Sequence, residues 1–384
     1  MHKPARLHSI DMLRGVVIIL MALDHVRDFF GPALFQPEDL AATSPGWFWT
    51  RWITHLCAPS FVLLAGSSAW LRGHAGGADR AALSRYLASR GAMLILLEIS
   101  WINISWQFAL DIIVLQVIWA IGAGMLALAA LVWLPRPVIA LIAALLILPH
   151  NLLDGVHSNS FLWKAWHEQG FIPLRGQFGV LVMYPLMPWI GLIAAGYALG
   201  PIFTWPAARR QRWLWCASAL LLFGFVALRS VNLYGDPDPW SAQGRGPMYD
   251  LMSFMRVHKY PPSLLYLCIT GSIGLALLAA FEKLPAIKSV LLFGRHPMFF
   301  YVLHVALAHL LGNLYFQLRF GGQASFNESG ATLPAGYIPS LLVVYLAWLV
   351  VLAIMYGLTL AWEQWRRRRP ARLAPPLAPE RPSI

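Results

Sequence analysis

The chain has 384 residues, of which 58% are hydrophobic and only 12% are charged, about half the charged fraction of an ordinary soluble domain. A soluble core of this size would need a charged surface that the sequence lacks, whereas ten membrane spans of about 20 residues each would absorb the apolar content. The formal charge of +12 does not point to nucleic acid, because the basic residues sit in short clusters between apolar runs.

In chain order, spans are predicted near 10–30, 50–71, 86–106, 111–134 and 137–150, then near 180–200, 211–231, 262–281, 291–316 and 337–362. The first run lacks a small-residue cleavage site and reads as a span that stays rather than a signal peptide. Pro135-Arg136-Pro137 divides one long apolar run into two helices. Cys57, Cys216 and Cys268 are scattered through apolar segments, with neither the spacing of a zinc knuckle nor a disulfide framework. The expected fold is therefore all-α and polytopic. Residues 1–369 form one transmembrane domain, and the proline-rich tail 370–384 is expected to be disordered.

Orientation follows from the basic residues in alternate loops. With the N-terminus inside, cytoplasmic segments hold nineteen of the 29 Lys and Arg residues, including Lys3, Arg6, Arg72, Arg136, Arg209 and the Arg366–Arg369 run. The opposite loops hold six, so both termini are expected in the cytoplasm. The long outer loops 151–179 and 232–261 either form a vestibule or simply cover helix ends. No internal repeat suggests an inverted-repeat transporter.

The first span is unusual. It carries Asp11 and Arg14 at one end and Asp24, His25, Arg27 and Asp28 at the other, with nine uncharged residues between Arg14 and Asp24. Ionised groups inside a bilayer cost several kcal/mol and tend to mark function. Eleven residues at about 100° each return Arg14 and His25 to one face, about 16 Å apart along the axis. Asp11 and Asp28 fall on the same side, giving one polar stripe. Interfacial pairing and snorkelling would also account for these residues.

The Ser9-x-Asp11-x-Leu13-Arg14-Gly15 opening, followed by Asp24-His25-x-Arg27-Asp28, resembles the heparan-alpha-glucosaminide N-acetyltransferase catalytic-domain family of transmembrane acyltransferases. The likeness continues through Ala58-Pro59-Ser60-Phe61, Tyr184-Pro185-Leu186-Met187-Pro188-Trp189, Lys259-Tyr260-Pro261-Pro262-Ser263, Phe293-Gly294-Arg295 and Tyr301-Val302-Leu303-His304. The Arg14-to-His25 spacing is also similar to the Arg-x10-His motif of the related acyltransferase-3 family. The resemblance implies transfer of an acyl group, most simply acetyl, from cytoplasmic acyl-CoA to an acceptor across a bacterial inner membrane. In the lysosomal enzyme that names the family, the acetyl-accepting histidine lies in the first non-cytoplasmic loop. Here no histidine occurs between Val26 and Thr54. His25 is the first candidate for that role and His55 the second.

Such chemistry needs a base or a transient acyl carrier, and histidine suits both. Asp28, one turn on from His25, is expected to orient its ring. His304 and His309 lie deep in the ninth span and serve catalysis or helix packing. Asn103, Gln107 and Asp111 form a polar bridge that serves hydrogen bonding among helices or acceptor recognition, and Glu98 is expected to find a basic partner. On the cytoplasmic side Asp11, Arg14 and Arg295 are candidates for holding the CoA phosphates. The small-residue run Ala65–Ala69 reads as a close helix contact. No HExxH or similar spacing calls for a metal, and none is expected.

The predicted function is therefore acyl-CoA-dependent acyl transfer to an acceptor hydroxyl or amine, a glycan by resemblance. The partners are the bilayer and acyl-CoA, with no nucleic acid. A transporter of a sugar or acidic metabolite through the same stripe, or a non-catalytic scaffold, is the alternative. The sequence leaves oligomeric state open, a homo-oligomer included.

Overall fold

The computed structural model describes residues 7–368, apart from 33, 34, 76, 78, 323, 324, 328 and 329. The expected tail 370–384 and the basic residues Lys3, Arg6, Arg369, Arg372 and Arg381 lie outside the described residues. The chain opens with α1 (His8–Phe30), which runs without a break until Gly31-Pro32, where proline cannot continue it. Next come α2 (Pro45–Trp52), a 3-10 turn (Ile53–Leu56) and α3 (Cys57–Ala75), one apolar helical stretch started by Pro45. Then follow α4 (Arg80–Leu97), a π-helical turn (Glu98–Ile102), α5 (Asn103–Gln107), β1 (Ile113–Leu115), α6 (Val117–Leu131) and α7 (Arg136–Ile147). The expected break at Pro135–Pro137 separates α6 from α7.

Beyond α8 (Phe161–Trp166), β2 (Gly170–Arg175) and β3 (Phe178–Val182), the chain returns to helix. These elements are α9 (Leu186–Leu199), α10 (Ala207–Val231), α11 (Pro247–Met255), α12 (Leu264–Phe281), α13 (Lys288–Arg295), α14 (Pro297–Phe320) and, after the short pair β4 (Ser325–Asn327) and β5 (Gly330–Thr332), α15 (Leu341–Arg368). Among the described residues, seven helical stretches are long and apolar enough to cross a membrane. They coincide with seven of the ten predicted spans. The other three are also helical: α1 is long enough but carries five charged residues, while α6 and α7 have 15 and 12 residues. At 1.5 Å per residue those two are about 22 and 18 Å long, short of a hydrocarbon core of about 30 Å. Large apolar side chains point outward on α10 (Phe223, 70% exposed) and α15 (Leu342, 67%), as expected of surfaces that meet lipid. The chain is an all-α, multi-pass membrane protein.

Two predicted segments are shaped differently. The span expected at 291–316 is cut at His296-Pro297 into α13 and α14, because proline at the first helical position starts a helix and cannot extend one. The span expected from residue 111 starts only at Val117. Its β-branched opening, Ile113-Val114, instead pairs in parallel with β3, Ile113 opposite Val180 and Leu115 opposite Val182, while β2 pairs antiparallel on the other side of β3. Asn103 holds β1, accepting from the Val114 amide at 2.7 Å and donating to the Val114 and Glu98 carbonyls.

α1 sits at the centre, packed against α3, α12, α13, α14 and α15. Its approach to α13 is close enough that a Cβ on Gly294 would lie 1.8 Å from the Asp11 carbonyl oxygen, so this contact requires glycine. The small-residue run of α3 works the same way, as predicted: a Cβ on Gly66 would lie 2.0 Å from the Ile193 carbonyl oxygen of α9.

The two long loops are structured. Arg229, only 1% exposed, donates to the carbonyls of Phe254, Asp238 and Ser253 at 3.0, 2.7 and 2.9 Å and also to that of Arg256. It thereby ties the 232–261 loop to the end of α10. The topology is testable by labelling single cysteines in a background lacking Cys57, Cys216 and Cys268. Cysteines at Asp79 and Arg212 are expected to react from one side of the membrane, and cysteines at His157 and Gln243 from the other. Labelling of all four from one side would contradict the arrangement.

Candidate functional site

At its Arg14 end α1 is clasped by α13 and α3. Asp11, 3% exposed, lies between two guanidinium groups, 3.7 Å from Arg14 and 4.0 Å from Arg295. Arg14 also donates to the Ser68 hydroxyl of α3. The three residues assigned to one binding function from sequence are thus brought together. Beside them lies a cavity of about 340 Å³, with Arg14, Ser68, Arg72 and Tyr86 at its polar edge and Met21, Phe61, Ile118 and Tyr301 along its walls.

At the other end of α1 lies a larger cavity of about 1190 Å³. Asp24, His25, Arg27 and Asp28 line it, together with Glu38, Arg51, Asp111, Lys259 and the sheet residues Val114 and Phe171. Both long loops contribute to the wall, through Gln169 and Gln177 and through Lys259 and Tyr260, as a vestibule would require. Met21 lines the smaller cavity and His25 the larger one, and they are one helical turn apart on α1. The same turn separates Tyr301, in the smaller cavity, from His304.

His25 and His304 meet at this junction, His25 Nδ1 2.8 Å from His304 Nε2, with the Trp106 ring edge-on to His25 at 4.9 Å. The hydrogen atoms can be assigned by elimination. His304 Nδ1 lies 2.9 Å from the carbonyl oxygens of both Phe300 and Tyr301, which only accept, so Nδ1 carries the proton. In a neutral ring His304 Nε2 is then an acceptor, and His25 Nδ1 must donate to it. His25 Nε2 is left as an unprotonated, basic nitrogen on a ring that lines the large cavity.

This geometry corrects the expectation for Asp28. Its carboxylate lies 2.6 Å from Arg27 Nη2, and His304, not Asp28, occupies the orienting nitrogen of His25. Residues 25 and 28 do share a helix face, but the adjacent Arg27 guanidinium captures the carboxylate first. His55, the second candidate, is fully buried, with Nε2 2.7 Å from Glu38 Oε1. It belongs to a chain of charges that sequence reasoning missed. Arg51 reaches Glu38 at 3.9 Å and both Asp24 oxygens at 3.0 and 2.8 Å, and Arg27 completes the Asp24 contact at 3.1 Å. Burial alone would raise the Glu38 carboxyl, but Arg51, then His55, outweigh it and hold it well below the usual range.

Elsewhere the polar residues act structurally. Among the described residues Glu98 has no basic partner: one carboxylate oxygen accepts from the Trp119 amide at 2.8 Å. His309 Nδ1 lies 3.0 Å from the Ser105 carbonyl, and its ring stacks on Phe108 and Phe29. Gln107 bonds to Ile112 and, with Asn103, clamps the strand β1, while Asp111 of the predicted bridge lines the large cavity. No local signal could have found Glu38, which is one of two adjacent acids, with Asp39, in an irregular loop. His304 was visible as an intramembrane histidine, but nothing linked it to His25.

A multi-pass membrane protein whose central helix joins a large polar cavity to a smaller, mostly apolar one at a histidine pair is built like a transmembrane group-transfer enzyme. The chain belongs to the heparan-alpha-glucosaminide N-acetyltransferase catalytic-domain family: the family model, described as heparan-alpha-glucosaminide N-acetyltransferase, catalytic, matches residues 6–233. It is therefore a membrane protein of an acetyltransferase type. The match takes in His25, His55 and the whole charge chain and stops before Arg295 and His304. No curated protein matches the chain.

The charge chain makes a direct prediction. Arg51→Ala would leave Glu38 facing only His55 and Asp24 facing only Arg27, and should destabilise the protein toward the lower end of roughly 3–5 kcal/mol. Thermal unfolding in detergent measures this, and a variant as stable as wild type would contradict it. Because the Glu38 carboxyl is depressed in the folded protein, its stabilising contribution is present above the ordinary carboxylate value and is lost as pH falls through the folded one.

Proposed function

We propose that this protein transfers an acetyl group from acetyl-CoA, bound from the cytoplasm at the Arg14 end of α1, to a hydroxyl or amine of a glycan acceptor seated in the large cavity at the outer face of a bacterial inner membrane. On this reading residues 1–369 form one transmembrane domain holding both cavities. The observation that carries it is His25, the residue at which the two cavities approach each other and the one whose Nε2 is left basic by its partner. Asp11, Arg14 and Arg295 hold the CoA phosphates, Asp11 by fixing the two guanidinium groups. The pantetheine arm then runs through the smaller, mostly apolar cavity. The separation of Arg14 and His25 along the axis, about 16 Å, matches the reach of a CoA arm of about 15–20 Å.

In the reaction His25 Nε2 takes the proton of the acceptor hydroxyl or amine as its oxygen or nitrogen attacks the thioester carbonyl, and the CoA thiolate leaves toward the cytoplasm. His304 positions the base by fixing its tautomer. His55 and Glu38 hold Arg51 and, through it, Asp24 next to the base. The step as written needs no metal.

His25→Ala should lower acetyl transfer by about 10²–10⁴-fold, measured as acceptor-dependent release of free CoA, with acetyl-CoA binding near wild type. Near-full turnover in this variant, or its loss only in His55→Ala, would move the chemistry away from His25. Arg14→Ala and Arg295→Ala should instead weaken acetyl-CoA binding by roughly 1.5–3 kcal/mol each, read by titration calorimetry. Unchanged affinity in both would leave these arginines with a topological role only.

A further inference from the structure

Away from both cavities, two buried histidines and a carboxylate converge. His150 opens the 3-10 turn His150–Leu153 that follows α7, Asp154 closes that turn, and His167 caps α8. His150 is fully buried and His167 is 2% exposed, yet among the described residues none of their four ring nitrogens makes a hydrogen bond. Buried polar groups are almost always satisfied, so two buried imidazoles without hydrogen bonds at one place call for a ligand, to which each can offer one nitrogen. One donor atom from each of the three residues lies within 4.8 Å of the others, and His167 Nε2 is 3.4 Å from Asp154 Oδ1. Around a tetrahedral zinc with bonds of about 2.0–2.1 Å, neighbouring donor atoms lie about 3.4 Å apart.

The surroundings suit a cation. Asn151 donates to Asp154 Oδ2 at 2.8 Å, which orients the carboxylate and leaves Oδ1 for the cluster. Asn151 Oδ1 in turn accepts from the Leu264 amide at 2.9 Å, where α12 begins. Carboxylate-orienting contacts of this kind accompany metal ligands. Two imidazoles and one carboxylate are the donor set of borderline divalent cations.

We propose that His150, Asp154 and His167 bind a divalent transition cation of the zinc class, with solvent at the fourth position, and that this cation fixes the root of the β2–β3 hairpin. His167 is two residues from Gln169, which lines the large cavity, and three from Gly170, where β2 starts. The cation therefore acts on the shape of the acceptor side and takes no part in acyl transfer. This departs from the metal-free reading of the sequence, which looked for HExxH-type spacing. Here the spacing is His-x3-Asp-x12-His, spread over two short elements.

Cobalt(II) and zinc(II) serve as probes. Full-length protein, freed of its affinity tag and stripped with a chelator, is titrated with cobalt. Visible d–d absorption is expected to saturate at about one cobalt per chain and to be displaced by zinc, and zinc should raise the unfolding temperature. His167→Ala and Asp154→Asn should lose the absorption, while His157→Ala, an exposed histidine of the same loop, should keep it. No cobalt absorption in the wild type, or absorption undiminished in both variants, would overturn the proposal. Should the variants fail to fold, X-ray absorption of the zinc-loaded wild type decides. Two imidazoles with oxygen ligands support the site, and any other ligand set refutes it.

Discussion

A charged side chain inside a membrane bundle persists only where the protein supplies its partner, and in this chain Arg51 meets that condition for a whole neighbourhood. Its guanidinium spans Asp24 of α1 and Glu38 of the following loop, and through Glu38 it reaches His55. Removing Arg51 would leave both Asp24 and Glu38 short of compensating charge, which is why the chain of contacts depends on it. That unit does two things. It allows α1, with its five charged residues, to occupy the centre of the bundle, and it fixes one wall of the large cavity beside His25.

The position of His25 follows from the same constraint. α1 is locked to α13 through a contact that only glycine permits, so the register of its polar residues cannot slide. Arg14 and Met21 then border the smaller cavity and His25 the larger one. His304 arrives from α14, a helix that starts afresh at Pro297, and its own backbone carbonyls settle the tautomer of both rings. Membership of an acetyltransferase family and a basic nitrogen at the meeting of two cavities support each other, although the family match ends before His304.

Much of this was legible in the sequence wherever the information was local. The polar face of α1 follows from the eleven-residue spacing of Arg14 and His25, and the break between α6 and α7 follows from two prolines. The close packing of α3 on α9 follows from Gly66 and its small neighbours. What was not legible depends on partners far apart in the chain. β1 is three residues long and becomes a strand only because β3 lies beside it. Asp28 shares a face with His25 but is taken by Arg27, a competition that helical periodicity does not reveal. The paired status of Glu38, and the choice of His304 over His55 and His309 as partner of His25, are set by tertiary packing alone.

The arrangement is tested most directly by sidedness. Purified protein is reconstituted in vesicles with one orientation, and acetyl-CoA labelled in its acetyl group is supplied only on the face bearing Arg14. Candidate glycans are confined to the opposite face. Label is expected to become covalently attached to the glycan across the membrane while free CoA accumulates on the side where the donor was added. Glycan crossing the membrane unmodified, with no CoA released, would contradict it and make the polar path a route for transport.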